Sequence, residues 1–124
     1  GVQTCALPIY GAMERALVAA DVLLGRSGAS TVAEASIAGL PSILVPYPFA
    51  GGHQRANAEA LAAAGGATLI DDQAFNEATL RAALAPLADA ATRARIGAAA
   101  AGLARPDAAD VIAHMLTDLG GRRG

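Results

Sequence analysis

The chain has 124 residues, 54% of them hydrophobic, 16% charged and only 3% aromatic, with a formal net charge of −2. That length and apolar content suit one domain with a real core and exclude a disordered chain, while weak charge and few aromatics leave neither the basic patch nor the stacking platform that nucleic acid requires. A single cysteine, Cys5, excludes an internal disulfide and a multi-cysteine zinc site, and no run of about eighteen apolar residues suggests a transmembrane helix.

The opening GVQTCALPI has no initiating Met, and it lacks the basic start and apolar core of a signal peptide. It resembles the translation of a sequencing adapter. Residues 1–9 are therefore expected to be a non-native leader in which Cys5 has no functional meaning, the alternative being a short strand over Cys5–Ile9. On this reading the natural sequence begins at Tyr10, within a longer protein.

From there the pattern predicts a helix over Met13–Ala19, with Glu14 and Arg15 on its polar side. The short apolar run DVLLG, Asp21–Gly25, reads as a buried strand. The turn RSGAS leads to a helix over Val32–Ala38, where Thr31 and Glu34 have capping-box spacing and Gly39 with Pro41 marks the stop. Ser42–Pro46 reads as a second strand and Tyr47–Gly52 as a Pro- and Gly-rich loop. A helix over His53–Ala63 follows, ended by Gly65 and Gly66. The third strand is Ala67–Ile70, with acidic Asp71 and Asp72 in the turn after it. Further helices are expected from Asn76 to about Ala85, over Ala90–Ala104 and over Ala108–Leu119, before a flexible tail at 120–124.

Strands alternating with helices imply an α/β fold, an open parallel sheet with covering helices. Three strands are few for such a sheet, so either the sheet is very small or its other strands lie upstream.

Ligands of open parallel sheets collect beyond the carboxyl ends of the strands, and two loops lie there. In the first, Arg26–Thr31, Gly28 and small side chains allow backbone amides at the helix start to meet an anion. The loop has neither P-loop nor dinucleotide-fingerprint spacing. Glu34 fits two roles: closing a capping box with Thr31, or accepting hydrogen bonds from the adjacent hydroxyls of a ribose.

The second loop, PYPFAGGHQRAN, offers Gly51 and Gly52 for close approach and His53, Gln54, Arg55 and Asn57 for hydrogen bonding. Gln54 both donates and accepts, which suits sugar hydroxyls. His53 has neither an orienting carboxylate nor a nucleophile near it in sequence, so ligand contact or structure fits it better than general-base catalysis. His114, in the last helix, is far from His53, and the two make no metal-ligand cluster. Ser27 and Ser30 do not form a GxSxG elbow.

These loops carry a resemblance. RSGASTVAEASIAGLPSILVPYP, Arg26–Pro48, followed by GGHQRANAEALAAAGGA, Gly51–Ala67, is similar to the C-terminal domain of the MurG family of bacterial UDP-N-acetylglucosamine:lipid I N-acetylglucosaminyltransferases. The likeness covers roughly 11–119, and its motifs occur in order. It implies a GT-B fold whose C-terminal Rossmann-like domain, here a partial one over 10–119, holds the sugar nucleotide. Under that resemblance Glu34 binds the uridine ribose, and Ser30 and Thr31 lie beside the donor diphosphate. Gln54 recognises the sugar, His53 sits at a neighbouring motif position, and Arg26, Gly28 and Asn57 shape the site.

The resemblance further implies an inverting transfer of N-acetylglucosamine to lipid I, giving lipid II in peptidoglycan synthesis, without a metal or cofactor. The acceptor-activating residue, the lipid I surface and a peripheral contact with the cytoplasmic face of the membrane are expected in a further N-terminal domain. The alternatives are another UDP-sugar-dependent GT-B lipid glycosyltransferase, or a sugar-nucleotide binding module without catalysis.

Overall fold

A computed structural model describes residues 12–49 and 51–121; the expectations for the leader, for Cys5 and for the last three residues lie outside them. In chain order the elements are α1 (Met13–Ala19), β1 (Leu23–Gly25), α2 (Ala29–Ala38), β2 (Ser42–Leu44), α3 (His53–Ala63) and β3 (Ala67–Leu69). A short 3-10 turn (Asp72–Ala74), α4 (Glu77–Leu84), a second 3-10 turn (Ala85–Ala88), α5 (Ala90–Ala101) and α6 (Ala108–Gly121) complete it.

The three strands form one parallel sheet in the order β1-β2-β3, with Leu23 opposite Ser42 and Ser42 opposite Ala67. Side chains alternate across a strand, and β2, buried throughout, feeds two cores, while β1 and β3 expose their middle residues, Leu24 and Thr68. Ile43 and Val45 face one way, packing with Ile70, Ala83 and Leu87. Leu44 faces the other way with Ala58, Leu61 and Ala100, against Leu23 and Leu69. Burial on both faces explains why β2 reads as an unbroken apolar run.

The strands are shorter than their apolar runs. Asp21 is a bend, and Val45, Pro46 and Ile70 continue past the ladder as buried chain. Gly39 takes the left-handed conformation (φ 60°) that ends α2, and Leu40 N–H returns to the Ala35 carbonyl at 2.9 Å. The same corner receives α5, because Gly97 lies directly against the Gly39 carbonyl. That contact ties α5 to α2, whose other end opens on the loops beyond the sheet.

Two further boundaries differ from the sequence pattern. The helix after Pro86 stops at Ala101, since Gly102 and Leu103 turn back onto the Ala98 and Ala100 carbonyls. Helix α6 runs through Gly121, beyond Leu119, where the tail was expected. Among the described residues no helix is long and apolar enough to cross a membrane.

Candidate functional site

The carboxyl ends of β1, β2 and β3 open onto three adjacent segments: 26–28, 45–52 and 70–72. Hydrogen bonds between them build the site. Ser27 is fully buried, and its Oγ donates to the Gln54 carbonyl at 2.7 Å. Asn57 Nδ2 donates back to the Ser27 carbonyl at 3.1 Å. These two bonds hold the N-termini of α2 and α3 side by side, with their positive dipole ends together.

Helix α2 begins at Ala29, three residues before the expected start, with Gly28 at its N-cap. The Thr31–Glu34 capping box is therefore overturned. Thr31 sits inside the first turn and Glu34 in the second, and no side chain caps the helix among the described residues. The reason is tertiary: Ser27 is pinned on both its side chain and its carbonyl, so the chain enters the helix immediately afterwards. The first intrahelical bond is Val32 N–H to the Gly28 carbonyl at 3.0 Å. The N–H groups of Ala29, Ser30 and Thr31 precede it and take no partner among the described residues, an arrangement that receives anions. The capping box that does form is at α4, where Asn76 and Thr79 bond reciprocally at 3.1 and 3.0 Å.

Glu34 follows Ser30 by four residues, on the same helix face and about 6 Å along the axis. It is exposed and lines a groove of about 340 Å³ between α1 and α2, with Met13, Leu17, Val18 and Ile37 as apolar wall. The groove thus pairs an apolar wall with a carboxylate.

Beside the α2 N-terminus, Gly51 (φ 59°) and Gly52 (φ 81°) are both left-handed and turn the chain into α3. A β-carbon at Gly51 would lie 3.6 Å from the His53 ring, so His53 folds back over the turn as the first residue of α3. Gln54 is half-buried, and its Oε1 accepts from Tyr47 N–H at 2.9 Å.

Arg26 crosses beneath this loop. Its Nη1 donates to the Val45 carbonyl at 3.1 Å, the Pro46 carbonyl at 3.3 Å and Asp72 Oδ1, and its guanidinium lies 5.5 Å from the Tyr47 ring centre. Beside it, Arg55 pairs with Asp71 and Glu59. The Asp71 hydrogen bond, then its charge, raises the Arg55 guanidinium above its ordinary value. Both acidic residues after β3 are thus matched by arginines. A second hollow of about 340 Å³ lies here, lined by Pro46, Tyr47, Gly52, Arg55, Asp71 and Asp72.

The structure therefore gathers Arg26, Gly28, Ser30, Thr31, Gln54 and Asn57 around the two helix starts. It places His53 at their rim and Glu34 one turn further along α2. Sequence reasoning missed Ser27 as the buried tie, Tyr47 and Asp72 as partners of Arg26, and Met13 as groove wall. Only Ser27 left a signal, as a small polar residue in the turn two positions after β1.

The glycosyltransferase family 28 C-terminal domain matches residues 3–112. A UDP-N-acetylglucosamine–N-acetylmuramyl-(pentapeptide) pyrophosphoryl-undecaprenol N-acetylglucosamine transferase of Rhodospirillum centenum is 46% identical over 98% of this chain. The chain spans 32% of that relative's length. The crystal structure of Acinetobacter baumannii MurG superposes with a TM-score of 0.84 over 90% of this chain and 33% of its own, at 29% identity. The spinosyn forosaminyltransferase SpnP shares the fold at 23% identity, with a TM-score of 0.64 over 82% of this chain and 27% of its own.

Proposed function

The chain belongs to the glycosyltransferase family 28 C-terminal domain, and on that premise we propose that it is the donor-binding part of an N-acetylglucosaminyltransferase. The donor is UDP-N-acetylglucosamine. The acceptor is lipid I, undecaprenyl-diphosphate-N-acetylmuramoyl-pentapeptide, and the product is lipid II of peptidoglycan synthesis. The chain spans about a third of the length of relatives bearing that name. The acceptor surface and the peripheral contact with the cytoplasmic membrane face are assigned to the remaining two thirds.

The observation that carries the proposal is the order of groups along α2. The α1–α2 groove with Glu34 comes first, then the N–H groups at Ser30 and Thr31, then Gln54 across the Ser27 bridge. A nucleotide sugar has the same order: a flat base whose ring face suits an apolar wall, with a ribose diol, then a diphosphate, then a hexose. Glu34 accepts from the ribose hydroxyls, the α2 N-terminus receives the diphosphate, and Gln54 with His53 meets the sugar. Glu34 is free for this because it closes no capping box.

The chemistry asked of this half is positioning and stabilisation of the leaving diphosphate while the acceptor hydroxyl attacks the anomeric carbon with inversion. Amides oriented before the reaction act on the charge that develops on UDP as the glycosidic bond breaks.

An NMR titration tests the assignment. UDP-N-acetylglucosamine is expected to shift the amides of Ser30, Thr31, Glu34 and Gln54 together. Shifts confined elsewhere, or absent at saturating ligand, overturn it. We also propose that residues 1–9 are a non-native leader, although the family match reaches back to residue 3. The uninterrupted coding sequence upstream of Tyr10 decides: a different peptide there supports the reading, and GVQTCALPI overturns it.

A further inference from the structure

The Pro46–Tyr47 peptide is gripped at both ends. Arg26 Nη1 donates to its carbonyl at 3.3 Å, and its N–H donates to Gln54 Oε1 at 2.9 Å. A backbone N–H is only ever a donor, so the Gln54 atom facing it is the amide oxygen, and the flip of that amide is fixed. The Gln54 Nε2 group takes no partner among the described residues. With Oε1 already engaged by the Tyr47 N–H, the two Nε2 donors are the hydrogen-bonding groups of Gln54 left wholly free for a ligand.

What holds the peptide is Arg26. One guanidinium joins the carbonyls of Val45 and Pro46 to Asp72 beyond β3, and it faces the Tyr47 ring at 5.5 Å. The peptide thus cannot rotate to offer its carbonyl to Gln54 without breaking contacts to two neighbouring segments.

We propose that Arg26 is a positioning residue: by clamping the Pro46–Tyr47 peptide against Asp72, it fixes Gln54 as a hydrogen-bond donor to an acceptor oxygen of the bound sugar. This rests on the donor-site reading above and sharpens it. Through Nε2, Gln54 reads an oxygen lone pair, whether hydroxyl or acetamido carbonyl.

The test compares UDP with UDP-N-acetylglucosamine by calorimetry on the 124-residue chain and on Arg26→Gln, Asp72→Asn and Gln54→Glu. Gln54→Glu keeps an oxygen for Tyr47 N–H but loses both donors. UDP affinity is expected to stay within about twofold of the parent in all three. Affinity for the sugar nucleotide relative to UDP is expected to fall about tenfold in Gln54→Glu, the scale of one hydrogen bond with its desolvation. Arg26→Gln should lower the same ratio and Asp72→Asn should lower it less, with partial recovery in Arg26→Lys.

Hydrogen exchange at Tyr47 N–H gives an arm without ligand. It should quicken in Arg26→Gln and stay slow in Gln54→Glu. An unchanged affinity ratio in both Arg26→Gln and Gln54→Glu overturns the proposal, as does unaltered Tyr47 exchange in Arg26→Gln. A parent chain that binds no UDP overturns the donor-site reading itself, and the exchange measurement then still decides whether Arg26 sets the peptide.

Discussion

Replacing Gly97 by alanine should destabilise the fold even though alanine is the better helix former. Gly97 lies within α5, where the exchange alone would contribute about 1 kcal/mol of stability. A β-carbon there would sit 2.3 Å from the Gly39 carbonyl oxygen, about 1 Å short of ordinary contact. The obstacle is backbone in a left-handed helix cap, hemmed by Pro41, so no side chain can swing aside. Helix α5 must move instead, drawing Ala100 out of the core it shares with Leu44 and Leu61. Overpacking of this kind costs about 3 kcal/mol at the upper end of its usual range. The net loss is then about 2 kcal/mol, or a Tm lower by roughly 8 °C for a domain of this size. Urea unfolding followed by circular dichroism measures it. Ala98→Gly, at an exposed site on the same helix, is the control and should lose about 1 kcal/mol through propensity alone. A Gly97→Ala protein as stable as the parent would refute the claim that this glycine pair fixes α5 on α2.

Other substitutions probe the remaining supports. Ser27→Ala removes the buried bond to the Gln54 carbonyl and should cost about 1 kcal/mol in urea unfolding, with a larger loss of affinity for UDP-N-acetylglucosamine than for UDP, because the α3 start shifts relative to α2. Asn76→Ala should cost about 1 kcal/mol by the same assay, being the loss of the one reciprocal cap found among the described residues. Asp89 caps α5, and its hydrogen bonds from Thr92 hold its pKa below the ordinary 3.8. A depressed carboxylate contributes stability that is present above pH about 4 and is lost as pH falls through the folded-state value. Thermal melts between pH 5 and about 2.5 should therefore show a smaller acid-side loss in Asp89→Asn than in the parent.

Where pattern and structure agree, local and tertiary forces point the same way. Helices α1 and α3 have their expected bounds because Gly52 and the Gly65–Gly66 pair punctuate α3 and Ala20 returns α1 to extended chain. The parallel sheet was legible because both faces of β2 are apolar. The start of α2 was not, since the capping-box spacing of Thr31 and Glu34 is a local signal while Ser27 is pinned by residues about thirty positions away. The same long-range ties hid Tyr47 and Asp72, which matter to the site only through Arg26. Accessible backbone amides around Ser30 and Thr31 were readable, because small residues after a strand leave them open wherever the helix itself begins.

Glu34 is proposed here as a ligand group and not a structural one, and Glu34→Ala tests this through two readouts on one protein. Urea unfolding should be unchanged, since Glu34 is exposed in the second turn of α2 and caps nothing. UDP affinity by calorimetry should fall by about thirtyfold or more, the scale of charge-assisted hydrogen bonds to a ribose diol. Unchanged UDP affinity, or a stability loss that accounts for all of the change, would contradict the account.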